Sequence, residues 1–105
     1  MSDATIEVDA GVCRFKTVVI ASMDENMDIT YKIKSECPNV REVCKKIGPQ
    51  SVFDILAKPF CDNVIYKECG GLEHVSCPVP CAMIKAAEAA GELALKKDVS
   101  FKFQQ

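Results

Sequence analysis

Val12-Cys13-Arg14-Phe15-Lys16-Thr17-Val18-Val19-Ile20-Ala21, Asp24-Glu25-Asn26 and Ile29-Thr30-Tyr31-Lys32-Ile33-Lys34 decide the architecture. The first run is rich in β-branched residues. Arg14 and Lys16 point one way, Cys13 and Phe15 the other, and the far end is apolar on both faces. Such a run predicts a strand that becomes covered on both sides. Asp24-Glu25-Asn26 is a polar turn. Ile29, Tyr31 and Ile33 alternate with Thr30, Lys32 and Lys34, as in a strand with one buried face. Residues 12–34 therefore read as a β-hairpin.

Working outward, Ile6 and Val8 alternate with Thr5, Glu7 and Asp9 to give a short strand before the hairpin. After the hairpin the period changes. Val40, Val43, Cys44 and Ile47 lie on one helical face, and Gly48-Pro49 ends that helix. Ser51 is an N-cap for a short helix through Val52, Ile55 and Leu56, stopped by Pro59. In residues 60–76 the signals conflict, and a short helix or a strand fits 63–68 equally well. Residues 81–95 are Ala-rich and helical; Met83, Ala86, Ala87, Ala90 and Ala94 form a smooth face suited to close packing. Val99, Phe101 and Phe103 alternate with Ser100 and Lys102 as a last strand. The order β-β-β-α-α-α-β lacks regular βαβ alternation. It predicts an α+β fold, an antiparallel sheet of three to four strands with helices packed on one face.

The chain has 105 residues, so one domain spanning residues 1–105 is expected. A net charge of -2 argues against a nucleic-acid surface. No apolar run approaches membrane-spanning length, so no membrane partner is expected. Asp3, Glu7 and Asp9 without any basic residue rule against a secretory signal over residues 1–9. Seven cysteines in such a chain point to a cytoplasmic, reducing setting, and their odd number speaks against a full disulfide framework.

The sharpest local feature occurs twice: Cys37-Pro38 and Cys77-Pro78 each open a helix. Proline is favoured at the first helical position, which puts each cysteine at or beside the N-cap. Free backbone N–H groups and the helix dipole there favour a thiolate. Cys13 is the third candidate: a strand-start cysteine that can approach the helix ends or, alternatively, pack in the core beside Phe15. Cys69 and Cys81 are auxiliary candidates, Cys44 belongs to a helix's apolar face, and Cys61 is unassigned.

Cys13, Cys37, Cys77, Cys81 and Cys69 are candidate metal ligands, because soft thiolates select zinc, copper(I) and iron–sulfur centres. The spacings lack the Cys-x2-Cys knuckle common in zinc ribbons and ferredoxins. His74, the only histidine, lies three residues from Cys77, too local for the usual cysteine–histidine nucleophile pair. Walker, GxGxxG and HExxH motifs are absent. The reading is a thiol site that binds a soft metal or iron–sulfur centre, or handles sulfur or electrons. The alternative is a structural or protein-interaction module with inert buried cysteines; Met23 and Met27, if exposed, would supply its surface. A protein partner or a homo-oligomer fits either.

Cys77-Pro78-Val79-Pro80, followed by Met83-Ile84-Lys85-Ala86, resembles the C-P-x-P helix start of TusA-like sulfur carriers. That resemblance implies a persulfide-carrying Cys77, although the family places its motif after the first strand. The whole chain resembles a family of short, uncharacterised, cysteine-containing proteins of anaerobic archaea and bacteria, a domain of unknown function. The matching pieces are Ala10-Gly11-Val12-Cys13, Ser35-Glu36-Cys37-Pro38-Asn39, Cys77-Pro78-Val79-Pro80 and the stretch Gly91 to Ser100. The resemblance implies no activity, and its pieces contain the same Cys13, Cys37 and Cys77.

Overall fold

The computed structural model describes residues 2–105. Strands β1 (Ser2–Asp9), β2 (Lys16–Met23) and β3 (Asp28–Ser35) form an antiparallel meander. Helix α1 (Pro38–Cys44) follows, then a two-residue strand β4 (Gln50–Ser51) and helix α2 (Val52–Ile55). A 3-10 turn (Phe60–Asp62), helix α3 (Val64–Glu68) and helix α4 (Val79–Ala90) complete the elements. The sheet order is β1-β2-β3-β4, and the class is α+β.

Register explains which face is buried. Ile6 pairs with Val19 and Val19 with Ile33; Ala4 pairs with Ala21 and Ala21 with Tyr31. These residues point to the same side because side chains alternate along each strand. Helix α4 lies on that side, across β1 and β2. Met83, Ala86, Ala87 and Ala90 are buried with Val19 and Ala21. The expected smooth alanine face is therefore the one that meets the sheet, and small side chains let helix and sheet approach closely. Tyr31 crosses this layer and donates its hydroxyl to the Met83 carbonyl at 2.7 Å. The opposite face of β2 is not covered: Val18 and Ile20 are only half-buried.

Several boundaries move from the sequence expectation. Strand β2 begins at Lys16 rather than Val12. Residues 10–15 form a turn instead, with Gly11 at φ +81 and Arg14 at φ +63. Arg14 N–H closes it on the Gly11 carbonyl, and Asp9 Oδ1 accepts from Gly11 N–H. Residues 63–68 resolve as an N-cap plus helix. Buried Asn63 caps α3 through Oδ1, which accepts from Ile65 N–H at 2.9 Å, while its Nδ2 donates to the Ile55 carbonyl at 2.7 Å. One side chain thus starts α3 and holds it to the end of α2.

Helix α4 stops at Ala90, not Leu95. Leu93 N–H bonds the Glu88 carbonyl and Glu92 N–H bonds the Ala89 carbonyl. This is the paired bonding of a Schellman terminus, with Glu92 in the left-handed position at φ +59. The expected last strand does not join the sheet. Val99, Phe101 and Phe103 are exposed, and the fourth strand is Gln50–Ser51 instead. Met23 and Met27 pack partly buried against the core, so they do not form an exposed methionine surface.

A left-handed non-glycine residue costs roughly 1–2 kcal/mol. Glu92→Gly relieves that strain at the end of α4, so it is expected to raise unfolding stability by about 1 kcal/mol. A urea titration of the two chains checks this.

Candidate thiol site

Cys13 and Cys37 flank the start of β2, in the turn before Lys16 and just after Ser35, which pairs with Thr17, and both act electrostatically on Cys77. Cys37 is held by a chain of polar contacts. Its N–H donates to Ser35 Oγ at 3.1 Å, and Ser35 Oγ shares a 2.7 Å hydrogen bond with buried Thr17 Oγ1 on β2. Glu36 N–H donates to the Lys16 carbonyl, and Glu36 Oε1 accepts from Lys16 N–H. Arg41 adds a guanidinium bond to the Ser35 carbonyl at 2.9 Å. Cys37 is the N-cap of α1, half-buried, with Pro38 just inside the helix.

Cys13 lies in the turn that leads to the same Lys16. It is exposed, not packed in the core, in a turn whose Gly11 and Arg14 are left-handed. Cys77 reaches this end through the segment before α4. Its N–H bonds the His74 carbonyl, and Pro78 is the N-cap, so Cys77 sits one residue outside the helix. Val79 N–H at the helix start acts on its sulfur in the direction that favours a thiolate.

The thiolate expectation for Cys77 is corrected. Burial holds its thiol above the ordinary cysteine range and outweighs the Val79 N–H, which acts in the other direction. Cys37, Cys13 and Cys44 add to the rise, because a second negative charge nearby disfavours the first. Cys77 is thus in electrostatic reach of thiols from the β1–β2 turn, the start of α1 and the end of α1.

Behind Cys77 lies a second pair that periodicity did not reveal. Cys44 and Cys69 are both buried and close enough for each thiol to shift the ionisation of the other. Cys69 eases ionisation of Cys44, while Cys44 and burial push Cys69 up. The Cys69 thiol also lies 4.0 Å from Met83 Sδ. Cys81 does not join the group: it is exposed on α4, where its charge acts on Tyr66. Cys61 is exposed in the 3-10 turn, and His74 is exposed in the segment before Cys77. Among the described residues no three His, Cys, Asp or Glu side chains are arranged to hold a metal ion. The candidate ligand set Cys13, Cys37, Cys69, Cys77 and Cys81 is therefore not preassembled as a metal cage.

The residue that sequence reasoning missed is Asn39. Its Oδ1 accepts from Glu73 N–H at 2.9 Å and its Nδ2 donates to the Gly71 carbonyl at 3.2 Å. Both bonds pin the segment that carries Cys77 to the helix that carries Cys37. Gly71 allows this approach: a Cβ there would lie 3.2 Å from Val43 Cγ2.

A family model described as a family of unknown function (DUF6951) matches residues 4–103. The chain belongs to that family. Neither the curated proteins nor the solved structures yield a match. Membership of DUF6951 covers every element that builds the thiol end, from β1 to α4. None of the described helices is long and apolar enough to cross a membrane.

Two outcomes follow from these contacts. Asn39→Ala removes two hydrogen bonds, so it is expected to cost about 1 kcal/mol and to speed alkylation of Cys77 as its segment loosens. Iodoacetamide labelling with peptide mapping reads the second effect. The pH dependence of stability has a definite sign. Cys69 and Tyr31 are held neutral by their surroundings in the folded chain, with Cys44 acting on Cys69 and burial acting on both. Their contribution is fully present below their unfolded values, ~8.5 for cysteine and ~10 for tyrosine, and is lost as pH rises past them. Denaturation midpoints should be level from pH 7 to about 8.5 and fall above it, with a shallower fall above about 10 in Tyr31→Phe.

Proposed function

We propose that this domain is a thiol protein that passes electrons or sulfur by thiol–disulfide exchange at Cys13, Cys37 and Cys77. The observation that carries the reading is the position of Cys77 within electrostatic reach of thiols from separate elements, with one of them, Cys13, exposed. Cys13 is the thiol a partner's disulfide meets first. Its thiolate attacks one sulfur of that disulfide, forming a mixed disulfide and expelling the other half as a thiolate. Cys77, after losing its proton to solvent, attacks the Cys13 sulfur and expels the second half. The partner disulfide gains two electrons and two protons, and Cys13 and Cys77 become the disulfide. Cys37 is the alternative resolving thiol beside Cys77. A reducing compartment, and the anaerobic setting that the whole-chain resemblance implies, would keep the resting thiols reduced.

A second reading is capture of a soft cation by the same three cysteines. It is favoured by the charge of neighbouring thiols raising Cys77, a repulsion that a thiophilic metal would cancel. The C-P-x-P start of α4 likewise keeps a persulfide on Cys77 in view, since Val79 N–H already favours negative charge on that sulfur.

Anaerobic incubation with oxidised glutathione, acid quenching and peptide mass mapping decides among these. The expected result is an internal disulfide joining Cys13 to Cys77 or Cys37, and accumulation of a glutathione adduct on Cys13 in the C37S/C77S chain. Equal, independent adducts on Cys13, Cys61 and Cys81 with no internal disulfide would refute the exchange reading. Cadmium addition to the reduced chain tests the cation reading: thiolate charge-transfer absorbance that is lost in C37S supports it. Labile sulfur on Cys77 in the freshly isolated protein supports sulfur carriage.

A further inference from the structure

The stretch after α4 carries a strand pattern and has no strand to pair with. Val99, Phe101 and Phe103 alternate with Ser100 and Lys102, the pattern of a half-buried β-strand. Yet Phe101 is 90% exposed and Phe103 is 95% exposed. Among the described residues, five of the ten large hydrophobic residues that are exposed lie in this stretch: Leu93, Leu95, Val99, Phe101 and Phe103. A row of large apolar side chains left in water marks an interaction surface. The family match runs through residue 103, so it includes the stretch.

The other half of a pairing is also present. Strand β1 pairs only with β2, so its outer edge offers a row of backbone N–H and C=O groups. Its helix side is apolar, with Ala4, Ile6 and Val8, and its other side carries Asp3, Glu7 and Asp9. The stretch after α4 has the same two-sided pattern: Val99, Phe101 and Phe103 are apolar on one side, while Lys96, Asp98, Ser100 and Lys102 share the other, with one net positive charge. One contact to β1 is already made: Lys96 Nζ donates to the Asp3 main-chain carbonyl at 3.1 Å. Beyond Lys96 the chain leaves its own β1, and residues 99–103 lie exposed away from it.

We propose that residues 99–103 of one chain add as a strand to the free edge of β1 in a second copy, and that the exchange is reciprocal. Main-chain hydrogen bonds would supply the pairing. The apolar row would continue the layer of Ala4, Ile6 and Val8, and Lys102 would meet the acidic row. A reciprocal exchange satisfies two-fold symmetry, because each copy gives a strand and receives one. Each buried phenylalanine removes ~150–250 Å² from water. With two per copy and the sheet edge they cover, the interface reaches the ~1,200 Å² at which specific pairings begin.

The test is the mass of the full reduced chain in solution by light scattering and analytical ultracentrifugation, beside F101K/F103K and D3K/E7K. A dimer for the parent, with both variants folded by circular dichroism and at least tenfold weaker in dimerisation, is the expected result. A monomeric parent overturns the proposal. If its amides at 99–103 are protected from hydrogen exchange, the strand folds onto its own β1 instead. A dimer that survives both sets of substitutions overturns it too. A dimer lost in F101K/F103K but kept in D3K/E7K places the strand elsewhere on the second copy and overturns the β1 assignment.

Discussion

The packing of α4 across β1 and β2 is the constraint on which the rest depends. Met83, Ala86, Ala87 and Ala90 lie flat on Val19 and Ala21 because none but Met83 is large. Met83 also takes the Tyr31 hydroxyl on its carbonyl and the Cys69 thiol beside its sulfur. One helix turn thereby joins the sheet, the central strand layer and the buried thiol pair. With α4 fixed in this position, its first turn must stand over the end of the sheet where β1 finishes and β2 starts. Cys77 comes to Cys13 and Cys37 for that reason, not through any sequence nearness.

The chemistry of the site is a contest between two effects at one sulfur. The start of α4 offers Val79 N–H, which favours a thiolate on Cys77, while burial and neighbouring thiols oppose it. Burial is the larger effect, so the resting state is protonated. A group held this way is not a free nucleophile; it reacts when a partner, an electrophile or a cation takes up the charge. The exposed Cys13 gives the outside access that Cys77 lacks.

Much of this was readable in the sequence where local period reports burial. Ile29, Tyr31 and Ile33 alternate, and they do face the helices; the alanine face of α4 does meet the sheet. The places of Cys13, Cys37 and Cys77 beside element ends are legible because proline and glycine mark those ends. What escaped depends on contacts between distant residues. Cys44 reads as one more apolar position in α1, and nothing local announces that Cys69 will lie beside it. Asn39 reads as a first-turn polar residue, yet it holds the Cys77 segment. Residues 12–15 read as strand but belong to a turn, because its left-handed residues include Arg14, a type that gives no such signal. The alternation at 99–103 reads as a last strand, but no strand forms there, because alternation does not supply an edge to pair with.

Cross-linking of the reduced chain with a short bismaleimide, followed by peptide mapping, tests the central claim most directly. If α4 brings its first turn over the start of β2, the dominant intramolecular links join Cys77 to Cys13 or Cys37. Dominant links from Cys77 to Cys61 or Cys81, with Cys13 and Cys37 each modified singly, would contradict the placement of α4 and the site built on it.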